Sequence, residues 1–127
     1  MARRQGRGAM LANLMHQLVD ASPDFEGAVL VNLDGLVMAA EGTLENLDDS
    51  DVGAVATRAF GLSGETTVLL ERGDLNKLIL LGEDGNMVIT RAGSEALCVA
   101  LLKPHAKIGI ASFEAERISR QIADVLT

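Results

Sequence analysis

The stretch Gly27-Ala28-Val29-Leu30-Val31-Asn32-Leu33-Asp34-Gly35-Leu36-Val37-Met38-Ala39-Ala40 decides how this chain folds. Val29–Asn32 and Leu36–Ala40 are two strand-like apolar runs, and Asp34-Gly35 lies between them. An Asp-Gly pair in that setting predicts a hairpin with a type I′ turn, whose two central residues need positive φ. The pattern recurs downstream, where Leu78–Leu81 and Met87–Thr90 flank Asp84-Gly85. A long alanine-rich segment separates the two predicted hairpins.

That segment reads as a helix. Asp48 is a good N-cap, and Asp49 and Asp51 stand in the first turn, where carboxylates meet the positive end of the helix dipole. Leu47 and Val52 are spaced to form a hydrophobic staple across the cap. The helix is expected to run to about Leu70, with Gly73 as its stop signal. Gly61 and Gly64 fall inside it, each costing roughly 1 kcal/mol relative to alanine. The expected compensation is close approach of another backbone. The helix has two apolar stripes. One holds Val52, Val55, Ala56, Ala59, Phe60 and Ser63. The other holds Ala54, Gly61, Leu62 and Val68, with Arg58 and Glu65 among them. A helix that covers one sheet needs a single stripe, so the second predicts a further partner.

Outside this centre, residues 9–21 predict a first helix, with Leu11, Leu14, Met15 and Leu18 on one face and Ser22-Pro23 as its end. Phe25–Asn32 is the first strand. Leu75–Leu81, Asn86–Thr90 and Glu95–Leu102 are the third, fourth and fifth, and the fifth is apolar enough to lie centrally. After Pro104, Ile108, Ala111, Ala115, Ile118, Ile122 and Val125 recur at helical spacing, with Glu114, Glu116, Arg117, Arg120 and Gln121 on the solvent side. The order α-β-β-α-β-β-β-α, with five mainly antiparallel strands, predicts an α+β layered domain.

The totals narrow the function. The chain has 127 residues, 48% of them hydrophobic, which suits one globular domain. Its net charge of −7 argues against a nucleic-acid groove, and the scarcity of aromatics (2%, no Trp or Tyr) argues against base stacking. Residues 1–8, with Arg3, Arg4 and Arg7, read as a flexible basic arm before a domain at 9–127. No signal peptide or stable membrane insertion is expected, and the single cysteine, Cys98, lies in an apolar run as a core filler. A cytoplasmic protein is expected.

Catalytic chemistry is missing. There is no phosphate-binding GxxxxGK[ST] loop and no GxGxxG. Gly61-Leu62-Ser63-Gly64-Glu65 lacks the last glycine of a nucleophile elbow and falls within a helix. His16 and His105 have no ligand cluster near them, and Asp48, Asp49 and Asp51 lack the spacing of a calcium loop. Arg58, Arg72 and Arg91 read as solvated side chains and not as arginine fingers. No catalytic residue, cofactor or metal is expected, and the chain is not expected to be an enzyme.

Gly27–Val31 leading to Asp34–Val37, then Leu78–Gly82, Leu97–Leu101 and Lys107-Ile108-Gly109 before a charged amphipathic helix, together resemble the roadblock/dynein light chain family over residues 9–126. The resemblance implies a profilin-like α/β/α sandwich around a five-stranded sheet. It also implies a homodimer in which third strands join edge to edge and second helices pair. Leu75, Lys77, Ile79 and Leu81 would then lie in the dimer strand. Stand-alone prokaryotic members work with small Ras-like GTPases, and a bacterial gliding-motility member is a GTPase-activating dimer. The implied role is a homodimeric GTPase regulator docking its partner at Ala54, Arg58, Gly61, Leu62 and Glu65. The alternatives are a scaffold or adaptor with no effect on nucleotide turnover, and a small-molecule sensor, against which the low aromatic content argues.

Overall fold

The computed structural model describes residues 6–42, 44 and 46–127. Among them three helices and five strands follow the expected order: α1 (Arg7–Asp20), β1 (Phe25–Asn32), β2 (Val37–Gly42), α2 (Asp49–Leu69), β3 (Lys77–Gly82), β4 (Gly85–Ala92), β5 (Ala96–Leu102) and α3 (Ile108–Leu126). The strands form one antiparallel sheet in the order β2-β1-β5-β4-β3. The apolar run at 96–102 is the centre of that sheet, and β2 and β3 are its two edges. Of the expected basic arm, Arg3 and Arg4 lie outside the described residues, while Arg7 and Gly8 open α1.

Helices cover both faces, as the alternation along the strands requires. Leu30, Val88, Cys98 and Ala100 face a core shared with α1 and α3, which contribute Leu11, Met15, Leu18, Ile118 and Ile122. Val29, Val31, Ile89, Leu97 and Val99 face the other way, onto Val52, Ala56 and Phe60 of α2. One helix therefore covers one side of the sheet, where two cover the other.

The turns differ from the predicted ones. Gly35 has φ +86, but Asp34 is not left-handed. The Gly35 N–H donates to the Asn32 carbonyl (3.0 Å), and the Asn32 side-chain carbonyl accepts from the N–H groups of Asp34 and Leu36 (2.9 and 3.1 Å). The loop is thus a three-residue connection closed by a left-handed glycine, which needs one positive φ and not two. At the second hairpin Gly82 pairs with Gly85, so Glu83-Asp84 form the loop and Gly85 already belongs to β4.

α2 also stops before its expected signal. The Glu71 N–H donates to the Val68 carbonyl (3.1 Å), and the Arg72 N–H to that of Thr67 (2.7 Å), with Glu71 itself at φ +57. This pairing of the last carbonyls is a Schellman motif with Glu71 in the seat usually taken by glycine. Gly73 (φ +84) serves the turn that follows.

Candidate partner interface

At its start α2 is fixed by a cap and a close contact. The Asp48 carboxylate accepts from the backbone N–H and the hydroxyl of Ser50 (both 2.9 Å), and these bonds hold its pKa below the usual value. One turn on, Gly53 presses on the β1–β2 hairpin: a Cβ there would stand 2.6 Å from Val31 Cγ1 and 3.1 Å from the Gly35 carbonyl. The close approach expected at Gly61 and Gly64 is found at Gly53. A Cβ on Gly61 would meet nothing within 4 Å, and one on Gly64 only the Leu75 side chain, at 3.8 Å. Within the subunit neither helical glycine is explained.

The two-striped reading of α2 holds with one exchange. Val52, Gly53, Ala56 and Phe60 are buried, while Val55, placed on the inner stripe by its spacing, is 58% exposed. Ala54, Arg58, Gly61, Leu62 and Glu65 all lie on the exposed side, with Leu62 at 68%. Sequence reasoning missed Leu69, 81% exposed on this same side. The signal was available, since Val55, Leu62 and Leu69 are spaced at two-turn intervals.

The second set of residues lies at the sheet edge. Lys77, Ile79 and Leu81 belong to β3, while Leu75 sits just before it. Lys77 pairs with Thr90 and Ile79 with Val88, so these side chains stand on the α1/α3 side, where Lys77 Nζ meets Glu116 Oε1 at 2.9 Å. Leu78 and Leu80, opposite Ile89 and Met87, stand on the α2 side. Among the described residues β3 thus presents an unpaired edge with apolar residues on both faces, including Leu81 at 73% exposure, which is a template for pairing with another strand.

Arg91 connects helix and edge. Its guanidinium lies 5.6 Å from the centre of the Phe60 ring and donates to the Leu75 carbonyl from Nε (3.3 Å) and an Nη (3.0 Å). Beside it an open groove of about 620 Å³ runs between the second half of α2 and the lead into β3, lined by Phe60, Gly61, Gly64, Val68 and Leu75 among others. The expected helix and strand surfaces therefore adjoin.

Among the described residues no three His, Cys, Asp or Glu side chains group to hold a metal, and no helix is long and apolar enough to cross a membrane. His16 lies elsewhere, with Nδ1 3.1 Å from Glu41 Oε1. Cys98 is fully buried, and burial pushes its thiol up to about 12.

The Roadblock/LC7 domain signature matches residues 11–101. The chain belongs to the Roadblock/LC7 family. The uncharacterized protein MJ1340 of Methanocaldococcus jannaschii is 30% identical over 97 residues, covering 76% of this chain and 83% of the relative. A solved structure described as MglB with tetrameric arrangement superposes with a TM-score of 0.87 at 15% identity, covering 98% of this chain and 93% of the other. Profilin II of Acanthamoeba castellanii superposes with a TM-score of 0.65 at 12% identity, covering 92% and 99%. At these identities the structures establish the profilin-like fold that this Roadblock/LC7 domain shares.

Proposed function

We propose that this Roadblock/LC7 protein acts in the cytoplasm as a homodimeric, non-enzymatic regulator of a small Ras-like GTPase. The observation that carries this reading is a helix with exposed apolar residues on the side away from its own sheet, next to an unpaired apolar strand edge. A subunit leaves both to solvent, and each is a surface that association would bury. The edges of β3, with Lys77, Ile79 and Leu81, join two sheets, while the helices come together alongside. The GTPase docks over the paired helices around Ala54, Arg58, Gly61, Leu62 and Glu65. Resemblance to prokaryotic family members that work with such GTPases supplies the partner class, and the MglB neighbour described as tetrameric agrees with self-association.

The test is to mix the purified protein with a Ras-like GTPase from the same cell and to measure complex formation and GTP hydrolysis. Binding with altered turnover is expected, and Leu62→Arg should weaken binding roughly tenfold or more, the size of effect typical of a central contact residue. Binding without any change in turnover would make the protein an adaptor. Absence of binding at high micromolar concentrations would remove the GTPase from the account.

A further inference from the structure

Charge is divided unevenly along the chain and so across the sheet. Residues 1–20 and 103–127, which supply α1 and α3, hold seven Lys or Arg and four Asp or Glu, a net +3. Residues 21–102, which supply the sheet and α2, hold four against fourteen, a net −10. Two of the seven cations, Arg3 and Arg4, lie outside the described residues. The basic layer of this acidic protein is thus the one opposite α2.

α3 has a second ordered side. Ile110, Phe113, Arg117 and Arg120 recur at three- and four-residue spacing, turned away from the buried Ala111, Ala115, Ile118 and Ile122. Ile110 is 55% and Phe113 57% exposed, although the helix buries a full apolar side elsewhere. Lys107 stands at the start of the helix and Lys103 just before it, both exposed. Arg117 is held by Glu114 at 2.8 Å. Among the described residues Lys103, Lys107 and Arg120 form no ion pair. Asp124, one turn past Arg120, is the exposed acid that follows in line.

We propose that this side of α3 rests on an anionic lipid surface, with Ile110 and Phe113 entering the headgroup boundary and Lys103, Lys107 and Arg120 reaching the lipid phosphates. Apolar side chains set among cations suit that boundary, where the first leave water and the second stay in it. A nucleic-acid backbone would satisfy the cations and leave Ile110 and Phe113 in water. The outer side of a helix is convex, so a rigid acidic protein would need a matching groove, whereas a fluid surface moulds to it. The acids of the α2 side do not oppose the contact: α3 alone is about 10 Å thick, more than the Debye length of about 8 Å at physiological salt. The attachment is peripheral, since no described helix is long and apolar enough to cross a membrane, and it leaves the α2 side open to a partner.

The experiment is co-sedimentation of the full chain with vesicles of phosphatidylcholine alone and with vesicles containing about 30% phosphatidylserine. Binding to the second and not the first is expected at about 0.05 M salt, with release at about 0.5 M. Each cation removed from the contact should weaken binding about fivefold, so Lys107→Ala with Arg120→Ala should cost about 25-fold. Phe113→Ser should cost about tenfold, which a purely electrostatic contact would not show. All three side chains are exposed, and circular dichroism checks that each variant keeps the fold. Arg58→Ala removes a cation from the α2 side and should leave binding unchanged. An equal loss in Arg58→Ala and Arg120→Ala would overturn the address on α3. Equal binding to both vesicle types, or to neither at low salt, would overturn the lipid surface. Binding to polyglutamate without binding to vesicles would overturn it as well, in favour of an acidic protein.

Discussion

Individual residues in this protein sit where a different residue would be easier to accommodate. Glu71 holds a left-handed conformation at the end of α2, a seat that a side chain occupies at a cost of about 1 kcal/mol relative to glycine. Glu71→Gly should therefore stabilise the protein by about 1 kcal/mol, read by chemical denaturation; an unchanged or lowered midpoint would mean that the Glu71 side chain compensates in some other way. Cys98 is the opposite case, a residue sealed into its place. With the thiol buried between sheet and α3 and its pKa pushed up to about 12, almost no thiolate exists near neutral pH. Alkylation of native protein should follow the rate of unfolding and not the ordinary thiol rate, and rapid labelling of the folded chain would contradict that burial. The sequence indicated the apolar setting of Cys98 through its neighbours. Nothing in the sequence marked Glu71, because glycines nearby offered more conventional stop signals.

At the scale of elements, hydrophobic periodicity revealed most of what it could. Every helix and strand was legible: each helix buries one face, β1, β4 and β5 bury residues on both, and β2 and β3, which bury none fully, were marked by their apolar runs beside Asp-Gly. The turn types were not. An Asn32 side chain that accepts two backbone N–H groups makes a three-residue loop as good as the two-residue turn that Asp34-Gly35 suggested. The seat of close helix packing was also hidden, since Gly53, Gly61 and Gly64 look alike in sequence and only the fold puts Gly53 against Val31. Of the candidate interface, the helix side was visible through its second stripe. The strand side followed from the resemblance, and which face of the sheet each residue of β3 takes emerges only from its register with β4. One contact between elements gives a pH dependence. His16 on α1 is bonded to Glu41 on β2, and this bond, with the carboxylate charge, raises the His16 pKa above its ordinary value. A raised folded-state value means that the contact stabilises fully below the ordinary histidine pKa and loses its effect as pH rises through the folded one. The thermal midpoint of wild type should thus exceed that of His16→Gln by more at about pH 5.5 than at about pH 8.5. An equal gap at both would show that the bond does not persist in solution.

The whole molecule carries a net charge of −7, so two copies repel each other at long range. Electrolyte screens that repulsion, with a Debye length near 10 Å at about 0.1 M and near 3 Å at about 1 M. Raising salt should therefore strengthen the proposed dimer, as measured by sedimentation. A dimer weakened by salt would place its stability in paired opposite charges instead.

Arg91 has a consequence at this same scale. By resting on the Phe60 ring while gripping the Leu75 carbonyl, it ties the helix to the chain that leads into the edge strand. The two surfaces then behave as the teeth of one key, cut at a set spacing. Under the association proposed above, a companion shaped to that spacing engages both at once, and one that matches only the first gains nothing from the second.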